Sequence, residues 1–376
     1  MNADSYPRFP QRSLLLALLV CVVSPATAAD SRFDFGATAT GVIQAGAFDH
    51  AVDAAGGTIG DTTRGSLAVD LHGSMAIGAT GTAFALGSFA QGNGLDGVGG
   101  VSVRVNADDL EDDVKDINGT GRDYLLEAWY AHRFELRDSI GLELTGGIID
   151  ATRYIDKNRA ANDEIHQFMN EVFVNRFFLP SYDPGVALSV TASGWSGHAV
   201  WMNARADGQD GQTYDFHFYG GDVGRRYELP IGEGNLRLIG LTTSNSFVGG
   251  SSRVHGLGFS VDQSWGEHVI LFARGGGFSD EESVLVHDSL YSAGVQVSGR
   301  LSHRSELIGG IAYAFLDGAG NAAGDVRDTR VWEAYLRWTR GGPFDASLDL
   351  QHVTDELYGD SNPTLWAIGV RINYSF

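Results

Sequence analysis

Arginine and carboxylate side chains recur at alternate positions of amphipathic segments in this chain, a pattern suited to binding polar solutes. The group of interest, with two aromatic members, comprises Glu127, Trp129, Arg133, Arg237, Asp262, Arg274, Glu333, Tyr335, Arg337 and Arg371. Arginine carries five donors in a fixed plane, and a carboxylate accepts several hydrogen bonds. These groups could pair with one another or exchange partners with sugar hydroxyls. The alternative is that each is a structural pair that only rigidifies the protein.

Motifs for catalysis or for metal and cofactor binding are not found. The sequence contains no H-E-x-x-H, no G-x-x-x-x-G-K and no G-x-S-x-G. Residues 116–127 have the offsets of an EF-hand, but no helical pattern flanks them. We therefore expect no catalytic residue, no metal site and no cofactor.

The segments that carry the charged residues alternate with a period of two, which predicts β-strands with one polar and one apolar face. The clearest is 365–376, where one parity holds Trp366, Ile368, Val370, Ile372, Tyr374 and Phe376. Its other parity includes Arg371 and Asn373. Such a strand could close a membrane barrel or form the edge of a soluble sandwich.

Sixteen alternating segments recur along the chain after its first 32 residues. We place them at 33–47, 64–77, 82–91, 123–134, 139–149, 185–192, 197–205, 213–229, 235–244, 253–264, 268–278, 289–301, 305–315, 329–340, 344–353 and 365–376. Their connections alternate between short and long, which is typical of transmembrane barrels with short periplasmic turns and long external loops. The expected fold is therefore all-β, a 16-stranded antiparallel transmembrane β-barrel.

The charged faces of the strands are predicted to line the inside of this barrel. A charge on the lipid face at the bilayer midplane costs about 2–4 kcal/mol, so the charged parity must face the lumen. Sixteen strands leave a water-filled channel, whereas eight can be filled by side chains.

The N-terminus indicates export across the inner membrane. Arg8 and Arg12 precede the apolar run 14–23 and an A-x-A site, which predicts a signal peptide over 1–28. Residues 29–376 then form one barrel domain in the bacterial outer membrane. Cys21 is the only cysteine, so a mature chain would contain no disulfide.

The net charge of −21 disfavours nucleic-acid binding. Much of the acid lies between the predicted strands, as in residues 108–113, which we interpret as a solvated loop. A negative channel mouth would also enrich cations.

Several stretches resemble the carbohydrate-selective porin family, also called the OprB family. The resemblance rests on Leu125–Tyr130, Leu144–Asp150, Asn162–Glu164, Gln167–Asn170, Leu179–Asp183, Val261–Gln263, Leu271–Arg274 and Glu333–Tyr335. It implies a sixteen-stranded outer-membrane channel for passive sugar uptake. The terminal Phe376 resembles the signal read by the barrel assembly machinery. The oligomeric state, monomer or trimer, stays open.

The same resemblance implies that segment 150–184 is a constriction loop. Its polar and aromatic candidates for solute contact are Arg153, Tyr154, Asp156, Arg159, Asp163 and Glu164. The alternative is a cover loop that packs on the barrel rim without affecting selectivity.

Three other functions compete with a sugar channel. The first is a general or cation-preferring diffusion porin with the same barrel. The second is an outer-membrane barrel enzyme, which would need a nucleophile and an orienting base. The third is an adhesin, which would conduct no ions.

Overall fold

The structure is a computed structural model. It describes residues 32–53, 55–137, 140–175, 178–207, 213–244, 253–280, 285–319, 326–359 and 362–376. The predicted signal peptide, 1–28, lies outside these residues. So do most of the predicted external loops 206–212 and 245–252.

Sixteen strands form one closed antiparallel barrel in which each strand pairs with its neighbours in sequence and the last pairs with the first. The strands are β1 Phe33–Asp49, β2 Thr62–Ile77, β3 Gly81–Gln91, β4 Leu125–Arg137, β5 Ile140–Ile149, β6 Asp183–Ala192, β7 Trp195–Asp207, β8 Thr213–Leu229, β9 Gly232–Thr243, β10 Val254–Trp265, β11 Val269–Asp280, β12 His287–Ser302, β13 Ser305–Gly318, β14 Val326–Thr339, β15 Phe344–Leu357 and β16 Thr364–Ser375. The predicted fold class and strand number are confirmed.

The closing strand β16 shows how sequence alternation becomes two barrel faces. Ile368 is 50% exposed and Val370 is 48% exposed, whereas Arg371 is 1% exposed and Asn373 is fully buried. Because the sheet is closed, the buried polar parity faces the interior. The apolar parity forms an outer surface that suits lipid.

Short and long connections lie at opposite rims of the barrel. Between β6 and β7 the chain turns over Ser193 and Gly194 alone, with φ of 48° and 81°. Two successive positive φ values are typical of the type I′ hairpin, which matches strand twist and favours glycine at its second position. The long connections 92–124 and 150–182 both start from the other rim.

Both of these long segments fold into the barrel and carry its short helices. The α-helical turns are Glu111–Val114 and Glu171–Val174, and the 3₁₀ turns are Ile117–Gly119 and Ala151–Arg153. Among the described residues, no helix is both long and apolar enough to cross a membrane.

The acidic run 108–113 is only partly solvated, whereas its composition predicts a solvated loop. Asp108 is 5% exposed and Leu110 is 2% exposed. The segment is drawn inward because Leu95, Val103 and Val105 pack in the buried apolar cluster of the interior. Burial of this apolar surface offsets the cost of bringing the carboxylates with it.

One strand-face interpretation is also wrong. The alternation of 123–134 predicts that Leu126 points outward with Tyr130, but Leu126 is fully buried against Val114 and Ile117. The register of β3 with β4 shifts at this place, so one extra residue is accommodated and the local facing changes.

Candidate functional site

Segment 150–182 is attached to the opposite wall of the barrel by a buried ion pair. Arg274 of β11 donates from Nε to Asp156 Oδ1 at 2.6 Å, and both side chains are fully buried. The same guanidinium donates to the carbonyls of Phe173 at 3.0 Å and Ala161 at 2.8 Å. One arginine thus joins three points of the segment.

Glu333 of β14 binds the backbone of segment 150–182 near the middle of the segment. Its two carboxylate oxygens accept from the N–H groups of Met169 at 2.5 Å and Asn170 at 2.9 Å. The Asn170 side chain in turn donates to Gln351 Oε1 at 3.0 Å. A fully buried carboxylate is tolerated here because both oxygens have donors.

Two further wall residues complete the attachment. Arg371 of β16 donates to the carbonyls of Glu164 and Gln167, the latter at 2.8 Å. Arg159 of the segment pairs with Asp262 of β10. Segment 150–182 therefore spans the interior from the β5–β6 side to the β10–β16 side.

A second charged and aromatic group lies on the β3–β4 wall. Glu127 accepts from Arg153 Nε at 3.1 Å and Nη2 at 2.6 Å, and from Trp129 Nε1 at 2.9 Å. The Arg153 guanidinium lies 5.1 Å from the ring centroid of Phe84 and 5.5 Å from that of Trp129. This arrangement combines fixed charge with aromatic surface, which suits a solute with hydroxyls and an apolar face.

Segment 92–124 packs beside segment 150–182, which the sequence did not predict. The carbonyl of Val105 accepts from Gln44 at 3.1 Å and from Gln351 at 2.9 Å. The N–H of Ala107 donates to the Met169 carbonyl at 2.8 Å. The alternating valines at 101, 103 and 105, inside an otherwise polar loop, were the signal that could have revealed it.

The two segments border a polar cavity of about 660 Å³. The carboxylates on its lining are Asp109, Asp112, Asp113, Asp116, Asp150, Glu164 and Glu171, and the bases are Arg104, Arg153 and Lys157. Arg104 is paired with Asp113 at 2.6 Å. Because Arg153 is paired with Glu127 as well, the cavity has an excess of negative charge.

Ion selectivity of this cavity is expected to depend on pH through Glu164. Burial raises the pKa of the Glu164 carboxyl to about 8. Below that pH the group is mostly neutral, and above it the group adds a negative charge facing Asp109, Asp150, Glu171, Arg104 and Lys157. Cation preference, measured as reversal potential in a salt gradient, should therefore rise between pH 7 and 9.

The variant Glu164→Gln provides the control for this pH effect. It should keep nearly the same reversal potential across this range, because its amide at position 164 does not titrate. A wild-type shift that persists unchanged in the variant would assign the titration to another group.

The remaining predicted residues lie elsewhere in the barrel. Arg133 pairs with Glu143 at 3.4 Å and is mostly exposed. Arg237 lies 3.5 Å from Asp222, which also contacts His198.

Tyr154 is buried, with its ring 6.5 Å from that of His198. Asp163 contacts His166 at 3.0 Å. Tyr335 packs edge-on against Phe168 at 4.9 Å. Arg337 borders a separate small cavity. Of the predicted residues, Asp156 and Arg159 lie in segment 150–182, and Arg274, Glu333 and Arg371 bind it from the wall. Arg133 and Arg237 pair elsewhere.

A serine, a histidine and an aspartate also meet near the rim with the long connections. Ser102 Oγ donates to Asp355 Oδ1 at 2.7 Å and lies 3.4 Å from His287 Nε2. In a catalytic triad the carboxylate orients the imidazole, which takes the serine proton. Here the serine hydroxyl donates to the carboxylate and not to the imidazole. The group therefore anchors segment 92–124. Among the described residues, no group of three His, Cys, Asp or Glu side chains could hold a metal ion.

Comparisons with known proteins agree with this architecture. No protein-family model matches the chain. An uncharacterised protein of Aquifex aeolicus (strain VF5) is 28% identical over 274 residues, covering 72% of this chain and 75% of that protein.

Two solved structures of Pseudomonas putida OprB are similar in fold. The high-pH structure has a TM-score of 0.65 and 13% identity, covering 92% of this chain and 94% of that one. The low-pH structure has a TM-score of 0.52 and 13% identity, covering 92% of each chain. The chain therefore has the barrel fold of a porin and resembles OprB.

Proposed function

We propose that this protein is an outer-membrane channel for the passive diffusion of sugars. The observation that carries the proposal is the narrowing of a closed sixteen-stranded barrel by segments 92–124 and 150–182. The two segments border a polar cavity of about 660 Å³, and paired charges and aromatic rings lie beside it. The structural resemblance to a protein named OprB supports the same assignment.

The chemistry of the interior suits a neutral, hydroxyl-rich solute. Sugar hydroxyls both donate and accept, so they can replace water at arginine and carboxylate groups. Trp129 and Phe84 offer aromatic surface beside Arg153. In this proposal segment 150–182 is the constriction, and Arg153 and Glu164, which border the cavity, lie on the solute path.

A cation-preferring diffusion porin is the second candidate. The excess of carboxylates over bases around the cavity favours it, since a negative lining enriches cations. The two candidates differ in whether added sugar reduces the ionic current, because a general pore does not bind sugars.

Liposome swelling with sugars of graded size is the test of the proposed function. We expect rapid swelling in glucose and slower swelling in a disaccharide, together with a current in planar bilayers that falls as glucose is added. Swelling indistinguishable from protein-free liposomes would reject the sugar channel. An unchanged current with free passage of small cations would favour the second candidate.

The proposal includes the route to the membrane. Residues 1–28 would be removed as a signal peptide, and Phe376 would be recognised by the barrel assembly machinery. N-terminal sequencing of the protein purified from outer membranes would test the cleavage after Ala28.

A further inference from the structure

An apolar groove of about 410 Å³ lies on the outer face of strands β12, β13 and β14. Its walls include Val297, Ile311 and Leu336, which are each about half exposed. Gly299 and Gly309 belong to the same lining. Because glycine has no side chain, the outer wall is recessed at these two positions. The groove is therefore a depression that a chain of methylene groups can fill.

The groove lies in the half of the barrel wall next to the short turns. Leu307, which also lines it, is the third residue of β13, and Leu336 lies three residues before the end of β14. The rings of Trp338 and Phe344 pack edge-on at this rim, with their centroids 6.3 Å apart. Aromatic girdles of this kind lie where hydrocarbon meets the lipid headgroups. One end of the groove is thus at headgroup level.

Two exposed arginines flank the groove at this rim. Arg304 belongs to the turn between β12 and β13, and Arg340 directly follows β14. The strands β13 and β14 are paired up to this point, where Glu306 lies opposite Thr339. The two guanidinium groups are therefore carried by adjacent strand ends.

These two arginines differ from those at the opposite end of β14. There, Arg327 and Arg330 both pair with Glu356. Within the described part of the chain, Arg304 and Arg340 form no ion pair. Basic residues beside the hydrocarbon attract anionic headgroups, and this attraction is greatest where no carboxylate of the protein neutralises them.

We propose that this part of the outer face binds one phospholipid with an anionic headgroup. The phosphate would accept hydrogen bonds from Arg304 and Arg340, and an acyl chain would fill the groove beside Gly299 and Gly309. Because the short turns of a transmembrane barrel are periplasmic, the lipid belongs to the periplasmic leaflet. A second copy of the chain docked through the same face would bring like charges together, so the lipid is favoured as the occupant.

Native mass spectrometry of the purified barrel tests this site. The protein is titrated with dioleoyl phosphatidylglycerol and, separately, with dioleoyl phosphatidylcholine, and the lipid-bound fraction is measured. The wild type should bind one phosphatidylglycerol molecule more tightly than phosphatidylcholine. In Arg304→Gln and Arg340→Gln the dissociation constant for phosphatidylglycerol should rise about fivefold for each arginine removed.

Arg225→Gln is the matched control for the charge. Arg225 lies near the same rim on β8, away from the groove, where it donates to the Ser193 carbonyl at 2.8 Å and lies 5.0 Å from the ring centroid of Trp195. Its replacement should leave the dissociation constant unchanged. An equal loss in Arg225→Gln would reduce the arginines to a general charge effect and overturn the site.

Gly299→Leu tests the groove independently of charge. A Cβ at Gly299 would meet no atom within 4 Å, so the added side chain occupies the groove without displacing the backbone. This variant should bind both lipids more weakly and keep the preference between them. Gly146→Leu is the control, because Gly146 has the outward parity of the exposed Leu144 on β5 and the same open space. Equal binding of lipid by Gly299→Leu and the wild type would overturn the groove as the acyl-chain site.

Two further outcomes in the wild type would overturn the proposal. Equal retention of the two lipids would contradict selection of an anionic headgroup. A mass of two or more copies that is lost in Gly299→Leu would assign the groove to contact between copies of the chain.

Discussion

Replacing Arg274 with alanine is expected to release the part of segment 150–182 around Asp156 and so enlarge the channel. The change leaves Asp156 buried without its guanidinium partner and removes donors to the carbonyls of Phe173 and Ala161. Breaking a buried pair by removing one partner costs about 3–5 kcal/mol. Because the strand ladders of the closed barrel do not depend on the Arg274 side chain, we expect this part of the segment to move while the strands stay paired.

Single-channel conductance and liposome swelling measure this release. Arg274→Ala should show a higher conductance and should admit oligosaccharides that the wild type excludes. Far-UV circular dichroism should still report the β-barrel.

The exposed pair of Arg133 and Glu143 provides the comparison for Arg274→Ala. Arg133 is 67% exposed, and exposed ion pairs contribute only about 0–1 kcal/mol. Arg133→Ala should therefore leave the size limit for sugars unchanged. If the two variants had the same exclusion limit, the buried pair would not hold the segment in place.

Introducing arginine at Val370 is expected to destabilise the barrel in lipid by about 2–4 kcal/mol. Val370 lies near the middle of β16 on the outer face and is 48% exposed. A charge there would contact the hydrocarbon core, where water cannot solvate it. Reversible unfolding in guanidinium with lipid vesicles present would measure the loss.

Thr364→Arg tests whether the penalty depends on depth. Thr364 has the same parity as Val370 but lies at the end of β16, where a charge costs only about 0–1 kcal/mol. Equal destabilisation at the two positions would show that the outer face does not cross a bilayer as proposed.

Most of the fold could be predicted from the sequence because its causes are local. The period-two alternation of 365–376 fixes which residues can meet lipid, and β16 spans Thr364–Ser375 in the structure. The regular alternation of short and long connections predicted the number of strands and which strand ends share each rim. Strand ends shifted by a few residues because pairing with neighbours decides where a ladder stops, as for β15, which extends to Leu357.

The candidate site could be predicted only in part. Residue type and parity selected Arg274, Glu333 and Arg371 as inward-facing groups, but neither property identifies a partner. Asp156 lies 118 positions from Arg274, and Met169 lies 164 positions from Glu333. Such contacts depend on the closed barrel, which brings these distant positions together.

The sequence by itself therefore determined a closed barrel with an apolar outside and a charged inside, because alternation along one strand is sufficient to set both faces. The tertiary structure alone decided that residues 92–124 fold inward and that Leu126 turns inside at a register shift. These features depend on packing between segments far apart in the chain, where apolar burial and hydrogen-bond geometry select one arrangement among many that the sequence pattern allows.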